Sequence, residues 1–529
     1  MARDATAAEG LPAPGTDAVE NGSDGPAIVR IKVSPGGTRP DVRILISEDE
    51  EGSSSMSSVF TLCNSAIGAG VLSLPYAFRK SGCVGCLLLC LVLGACEAFT
   101  LYVLSKFAER YQAHTYSGLV RKALGRKLSA SLSAILILYL WGSCIAYLVI
   151  IGDSFSPLIA LGVGDESFLA DRRFVITTIG MLLILPMCFP RELGALAWVS
   201  MAAVIGFMYT AIVIVIRGTE LVMERGDLHD VKLFRWSFDA LFAVPIVVFG
   251  FNCHANVVTI FTELDKKPAL LIGALPADPA EYAALPGSFA PRPRSQKMVG
   301  MLGVIVSAIT VIMLGYLMVG FSGYLAFPTT VEGNVLKSFP THDILMQIAR
   351  GVIGAVVTGH YPLNHHPARL AMEHLEQFAF GWKDISVAFS AVQSIIFIVT
   401  TIAVANVVTD LGAVLHMVGG TAASYMIFFL PGLLLINAAI VKRTASMANL
   451  AEEGQEGNGD TAAAPSSADS AALESQEELA MSFLASRNEQ GIKRVGLIYS
   501  PRKSWWAGMT FVVLSIVIFI ITIVTAFVQ

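Results

Sequence analysis

Long apolar segments alternate with polar connections along most of the chain. A run of about 18 to 25 apolar residues is long enough to cross the hydrocarbon core of a bilayer as a helix. Segments of this kind, numbered here as spans 1 to 11, cover residues 58–78, 82–104, 129–151, 174–190, 194–216, 238–262, 298–321, 343–363, 385–405, 409–435 and 505–528. The pattern predicts an all-α polytopic membrane protein with about 11 transmembrane helices.

Two spans contain residues that a continuous membrane helix does not need. Span 1 holds Gly68 and Gly70, and each glycine costs a helix about 1 kcal/mol relative to alanine. Span 6 holds Gly250 and Asn252 in the middle of an apolar run. Irregular backbone at membrane depth survives only where protein or a watery cavity satisfies its polar groups. We therefore predict that helices 1 and 6 are broken and that the breaks mark a binding site.

The two interrupted spans lie five spans apart. Because five is an odd number, a five-span unit that is repeated once must be inverted in the membrane. This predicts a 5+5 inverted repeat, spans 1–5 and 6–10, plus one extra helix. Broken helices in corresponding positions of inverted halves are typical of transporters, since half-helix N-termini attract carboxylates and unwound carbonyls can coordinate cations.

The segments outside the spans have a different composition. Residues 1–57 are rich in Gly, Ser, Pro and acidic residues, which predicts a disordered cytosolic tail. We expect a ten-helix core at 58–440, a cytosolic low-complexity loop at 441–503 and the eleventh helix at 504–529. A second biased connection, residues 269–293, is rich in Ala and Pro.

Composition and charge agree with a membrane protein and add its orientation. The chain is 54% hydrophobic and 15% charged, with a mean hydropathy of +0.65. Connections after even-numbered spans carry more than twice as many Lys and Arg as those after odd-numbered spans, and positive residues stay on the cytoplasmic side. The N-terminus is thus predicted to be cytosolic and the C-terminus extracytosolic. The membrane is the plasma membrane or a vacuolar or lysosomal one.

The residues around both breaks resemble a known family. Residues 64–78 look like the first-span signature of the amino acid/auxin permease superfamily, and residues 249–254 with 261–264 resemble its sixth span. The resemblance extends to residues 146–153 and 412–431, and includes the sodium-coupled neutral amino acid transporters and the vacuolar amino acid transporters. It implies a fold similar to that of the bacterial leucine transporter.

The resemblance also implies where the substrate and a coupling ion bind. The carboxylate of an amino acid would meet the backbone around Gly68, Ala69 and Gly70. The rest of the substrate would contact Ser65, Tyr147, Phe249, Gly250, Phe251 and Asn252. A coupling sodium would bind span-1 backbone at Asn64 and Ile67 together with hydroxyls of span 8.

Span 8 departs from the sodium-coupled pattern. Where those members have a hydroxyl two residues before the proline, this chain has His360. Imidazole is a poor ligand for a hard cation that prefers oxygen. Thr358 could supply the hydroxyl if the register shifts. A proton therefore competes with sodium as the coupling ion.

Other ionisable residues lie in or beside the spans. Glu97 in span 2 is either a protonation site for ion coupling or a structural hydrogen-bond acceptor, because a charge within a span needs a partner. His254 and Glu263 begin and end the second half of span 6. Each is a candidate gate, with a helix brace and a solvated charge as the plainer interpretations. For Arg350 in span 8, the favoured expectation is a side chain that snorkels to water.

These observations predict a secondary active transporter of amino acids, chiefly neutral ones, coupled to a proton or sodium gradient by alternating access. A membrane amino acid sensor that signals through its tails, and a cationic amino acid transporter that uses Glu97 or Asp153, stay open as alternatives. No enzyme is expected, since no nucleophile–base pair, phosphate loop or metal cluster has plausible spacing. The expected partners are an amino acid, a coupling cation and the lipid bilayer, with no nucleic acid, no cofactor and no metal other than Na⁺.

Overall fold

The computed structural model describes residues 30–32, 43–45, 55–190, 197–264, 294–382, 386–456 and 500–528. The chain divides into two units, residues 1–52 with 266–292 and residues 53–265 with 293–529. In the first unit, the strands β1 (Arg30–Lys32) and β2 (Arg43–Leu45) pair antiparallel. The rest of the predicted tail before Ser55, and the biased connection at 269–293, lie outside the described residues.

The second unit is built from helices. In chain order they are α1 (Ser55–Ala66), α2 (Gly70–Ser81), α3 (Cys83–Tyr111), α4 (Tyr116–Leu124), α5 (Arg126–Val163), α6 (Arg172–Ile179), α7 (Leu185–Met187), α8 (Ala197–Arg225), α9 (Phe238–Leu241), α10 (Ala243–Phe251), α11 (His254–Glu263), α12 (Arg294–Ala326), α13 (Val335–Ser338), α14 (Ile344–Phe380), α15 (Val387–Val407), α16 (Leu411–Val418), α17 (Leu430–Glu456) and α18 (Pro501–Val528). Short π-helical stretches at Gly180–Ile184, Gly419–Ala423 and Tyr425–Phe429 connect α6 to α7 and α16 to α17.

Eight helical segments of the described chain are long and apolar enough to cross a membrane. The bent pair α1 and α2, which turns by 61° at its break, makes a ninth when it is counted as one span. Predicted span 4 is divided between α6, a π-helical stretch and α7, and predicted span 8 is the 37-residue α14; neither is among these segments. A multi-pass helical architecture is therefore confirmed, whereas the total of eleven and the inverted repeat stay predictions.

Several helices extend beyond the predicted spans. The 38-residue α5 continues twelve residues past the predicted end of span 3, and α14 continues through Pro362 and Pro367. Helix α17 reaches Glu456, within the predicted loop, of which residues 457–499 lie outside the described residues. Apolar length predicts the part of a helix in the bilayer, but a helix can continue into water on polar side chains.

Glycines allow the two broken spans to pack closely against each other. A Cβ added at Gly70 would lie 2.8 Å from the Cα of Gly250. The Tyr316 hydroxyl of α12 faces the same contact and is 2.9 Å from the carbonyl oxygen of Ala66 and 2.6 Å from that of Gly250. One buried hydroxyl thus serves backbone carbonyls of both broken spans.

Arg350 anchors a connection between helices instead of reaching water. Its side chain is buried, with 2% of the residue exposed. The guanidinium donates to the carbonyl oxygens of Leu336 at 2.9 Å, Phe339 at 2.8 Å and Pro340 at 3.3 Å. The prediction that Arg350 snorkels is therefore wrong. The arginine instead holds the chain around α13, because buried backbone carbonyls need a hydrogen-bond donor.

Candidate functional site

The break in span 1 leaves backbone donors at the start of α2. Helix α1 ends at Ala66, and the N–H of Ile67 still donates to the carbonyl of Cys63 at 2.8 Å. Within the described chain, no acceptor binds the N–H of Gly68 or Ala69. Such N–H groups at the start of a helix, reinforced by the helix dipole, attract anions. The break can therefore bind a carboxylate.

A cavity of about 350 Å³ lies beside these donors, at the small end of the range for ligand pockets of roughly 300 to 1,000 Å³. Spans 1, 3, 6 and 8 form its wall. The lining residues are Asn64, Ser65, Ala66, Ile67, Gly68, Ala69, Leu136, Tyr139, Leu140, Ser143, Tyr147, Phe249, Asn252, Cys253, Ala255, Asn256, His360, Leu363, Asn364 and Pro367. None of these is Asp, Glu, Lys or Arg, so the described wall is polar in places but carries no fixed charge.

The structure brings most of the expected substrate residues together at this cavity. Ser65, Gly68, Ala69, Tyr147, Phe249 and Asn252 all line it. Gly70, Gly250 and Phe251 do not. The two glycines face each other behind the cavity, and Phe251 packs edge-on against Tyr316 with ring centroids 5.3 Å apart. These three residues shape the contact between the broken spans.

The break in span 6 consists of Asn252 and Cys253, between α10 and α11. A carboxylate from another helix lies next to this break. Oε1 of Glu97 accepts a hydrogen bond from the N–H of Cys253 at 3.4 Å and lies 2.9 Å from Nδ1 of His254. Nε2 of His254 is 2.9 Å from Oγ1 of Thr100. The N-terminus of α11 therefore already has an anion, and neither Glu97 nor His254 lines the cavity.

Helices α1 and α11 are joined beside the cavity by a hydrogen bond. Nδ2 of Asn256 donates to Oγ of Ser65 at 2.8 Å, and the Ser65 hydroxyl donates to the carbonyl of Thr61 at 3.1 Å. Sequence reasoning missed Asn256, as it missed Tyr139, Ser143 and Asn364. The signal that could have found them is the polar side chain inside an apolar span.

The expected ion-coupling residues are divided between the cavity and its surroundings. Asn64, Ile67 and His360 line the cavity, and the buried Nε2 of His360 has no hydrogen-bond partner within the described chain. The Thr358 hydroxyl instead donates to the carbonyl of Gly354, in its own helix, at 2.7 Å. In this structure, the position two residues before Pro362 thus brings an imidazole to the cavity, where Leu363, Asn364 and Pro367 of the same helix also lie.

Glu263 and Asp153 lie away from the cavity. Glu263 is exposed at the end of α11. Asp153 is buried, pairs with Arg172 at 3.1 Å and accepts a hydrogen bond from Asn334 at 3.1 Å. No group of three or more His, Cys, Asp or Glu residues in the described part of the chain could hold a metal ion.

Comparisons with known proteins identify the family of the chain. The family described as "Transmembrane amino acid transporter protein" matches residues 51–273 and 292–450. The chain is 30% identical over 424 residues to "Sodium-coupled neutral amino acid transporter 7" of Xenopus laevis, covering 77% of this chain and 85% of that protein. It is 28% identical over 402 residues to "Solute carrier family 38 member 8" of Homo sapiens, covering 73% of this chain and 85% of that protein.

A solved structure titled "Crystal structure of MhsT in complex with L-phenylalanine" is also similar, with a TM-score of 0.47 and 13% identity over 73% of this chain and 90% of that chain. The family match covers both broken spans and every residue that lines the cavity. It confirms the resemblance to the amino acid/auxin permease superfamily. The chain is an integral, multi-pass membrane protein and belongs to the family of transmembrane amino acid transporter proteins.

Proposed function

We propose that this protein is a secondary active transporter of neutral amino acids and that the cavity at the break of span 1 is its substrate site. The observation that carries the proposal is a wall without fixed charge beside two backbone N–H groups that lack acceptors. An amino acid brings its own carboxylate to such donors. A charged side chain would enter the cavity without a partner, which is costly.

The substrate carboxylate binds the N–H groups of Gly68 and Ala69 at the positive end of α2. The Tyr147 hydroxyl lies beside this position, 3.5 Å from where a Cβ of Gly68 would be. Asn252 also lines the cavity; its amide oxygen accepts from the N–H of His254 at 3.3 Å and has a second lone pair for the ammonium group. Phe249 supplies apolar surface for the substrate side chain.

Transport proceeds by alternating access around this site, with the N-terminus cytosolic. The bond between Ser65 and Asn256 links two half-helices on the side of the breaks that leads to the start of α1 and the end of α11. In the proposed orientation this is the cytosolic side. Movement of α1 and α11 then opens and closes the inner path, while Arg350 holds the connection around α13 on the outer side.

The coupling cation is sodium or a proton, and each has its own support. Relatives are named sodium-coupled, and Asn64 and Ile67 lie at the cavity where their backbone carbonyls could bind Na⁺. His360 and the buried Glu97–His254 pair supply protonatable groups at and behind the same cavity. The protein requires no other metal and no cofactor. It resides in the plasma membrane or in a vacuolar or lysosomal membrane.

The test is uptake by purified protein in liposomes, using a panel of radiolabelled neutral, cationic and anionic amino acids. A sodium gradient and a proton gradient are imposed separately. We expect gradient-driven accumulation of neutral amino acids. Gly68→Val should abolish it, because the valine side chain would occupy part of the cavity. Gly303→Val is the matched control, since Gly303 is exposed in α12 and a Cβ there meets nothing within 4 Å.

The outcome of each arm is distinct. Uptake driven only by sodium assigns the coupling to the Asn64 and Ile67 site, and uptake driven only by protons assigns it to His360 or Glu97. Saturable binding without flux under either gradient would favour the amino acid sensor. Preferred uptake of cationic amino acids would contradict the uncharged substrate site.

A further inference from the structure

We infer a second binding site, for an anionic phospholipid headgroup, between the ends of spans 10 and 11. A cavity of about 650 Å³ lies there between α17 and α18, away from the substrate cavity. It is lined by Ala439, Ile440, Arg443, Ser500, Pro501, Arg502, Trp505 and Trp506. None of these residues lines the substrate cavity, so the inference does not depend on the proposed substrate site.

The shape of the cavity follows from a contact between two glycines. A Cβ added at Gly432 would lie 2.8 Å from the carbonyl oxygen of Gly508, and one at Gly508 would lie 2.6 Å from that of Gly432. Small residues let membrane helices touch at such a point. On α17 the cavity residues lie about two to three turns beyond Gly432, and on α18 they lie within about two turns before Gly508. Larger side chains line both helices there. A groove therefore opens toward the ends of α17 and α18.

The rim of this groove is cationic. Arg443 comes from α17 and Arg502 from α18, and both are exposed. In the described chain, no acidic residue lines the groove, and neither arginine has a carboxylate within ion-pair distance. Guanidinium groups bind phosphate oxygens in pairs of parallel hydrogen bonds. Two arginines from facing helices thus form a site for a phosphate group.

The position of the groove at the membrane boundary indicates that the bound phosphate belongs to a molecule with an acyl chain. Trp505 and Trp506 lie in the second turn of α18, with ring centroids 5.0 Å apart, and tryptophans favour the membrane–water boundary. Ile440 is 53% exposed next to the arginine rim. A phospholipid fits both parts, its phosphate on the arginines and its chain along Ile440, whereas free phosphate fits only the first. In the proposed orientation the groove faces the cytosolic leaflet, which carries the anionic lipids.

The inference is tested by measuring the tryptophan fluorescence of the full-length protein in phosphatidylcholine nanodiscs. Brominated phosphatidylserine, which quenches nearby tryptophan, replaces phosphatidylcholine in steps. Subtracting the spectrum of Trp505→Phe/Trp506→Phe protein isolates the signal of the two tryptophans. We expect Arg443→Gln/Arg502→Gln to raise the half-quenching fraction about twenty-five-fold, because each lost arginine contributes about fivefold. Brominated phosphatidylcholine should quench both proteins equally.

Lys442→Gln/Lys503→Gln is the matched control. It removes the same charge from exposed neighbours that do not line the groove. The inference requires the half-quenching fraction of the arginine variant to rise at least fivefold more than that of this control. Equal rises in the two variants would show only a general attraction of the lipid to the basic surface, and would overturn the inference. Displacement of the lipid by millimolar inorganic phosphate would also overturn it. The inference would also be overturned if the lipid bound only after deletion of residues 460–490, because the acid-rich loop would then be the occupant of the groove in the full-length protein.

Discussion

The breaks in spans 1 and 6 carry the same signal in the sequence, yet the structure completes them differently. At span 1 the helix turns by 61°, and the N–H groups of Gly68 and Ala69 lack an acceptor in the described chain. At span 6 the break is two residues long, and Glu97 accepts from the N–H of Cys253 and contacts His254. Each half-helix N-terminus attracts an anion. One has the Glu97 carboxylate as its partner, and we propose that the other receives the carboxylate of the substrate.

In the proposed site, span 1 therefore supplies backbone donors without an acceptor, whereas the break of span 6 supplies the side chains of Asn252 and Cys253 to the cavity wall. In this structure, a carboxylate from a neighbouring helix accepts from the backbone at the break of span 6. Span 1 has no such partner in the described chain, and we propose that a ligand satisfies the donors at the start of α2. The two breaks meet through Gly70 and Gly250, and changes at this contact should have the largest effects.

The largest expected effect is that of Gly70→Val. The new Cβ would lie 2.8 Å from the Cα of Gly250, and backbone cannot yield as a flexible side chain can. Overpacking of this kind costs about 3 kcal/mol or more, so we expect uptake to fall at least a hundredfold. Gly303→Ala in α12 should leave uptake unchanged, and comparable losses in both variants would show that the contact between the breaks has no special role.

Glu97→Gln tests the carboxylate that covers span 6. Glutamine keeps an acceptor for Cys253 but loses the charge beside His254, a difference of about 1.5 to 3 kcal/mol for a hydrogen bond to a charged group. We expect uptake to fall about ten- to a hundredfold and its pH dependence to change. Glu224→Gln, which removes an exposed carboxylate at the end of α8, is the control and should behave as wild type. An unchanged pH profile in Glu97→Gln would exclude a protonation role.

Tyr147→Phe tests the substrate side of span 1. Loss of a hydroxyl near the carboxylate position should cost about 1 kcal/mol, or roughly a fivefold increase in KM, with little change in the amount of folded protein. Tyr209→Phe, in the membrane span α8 and outside the cavity wall, is the control. Equal KM values for Tyr147→Phe and wild type would place the substrate away from Gly68.

The smallest expected effect concerns the bond between the two half-helices. Ser65→Ala, Asn256→Ala and the double variant form a cycle whose coupling energy should be about 0.5 kcal/mol, because Asn256 is exposed. The rate of uptake for each variant gives this energy. A coupling energy of zero would mean that the two residues act independently in the transport cycle.

The sequence predicted the broken spans and much of the cavity because both depend on residue types that a membrane helix tolerates poorly. It did not predict which side of a break each residue faces. Phe249 and Phe251 are two residues apart, and only Phe249 reaches the cavity. The contact between Glu97 and His254 joins residues far apart in sequence, and the hydrogen bonds of Arg350 depend on how a loop folds back. Such contacts become visible only in three dimensions.

The most direct test of the substrate site is protection of a thiol in the cavity. Ser65→Cys protein in membranes is labelled with a water-soluble maleimide, and the modified peptide is quantified by mass spectrometry. The account predicts that a transported neutral amino acid slows labelling of this cysteine at least tenfold and leaves Glu263→Cys, exposed on the same side, unaffected. Labelling of Ser65→Cys that is indifferent to every transported amino acid would contradict a binding site at the break of span 1.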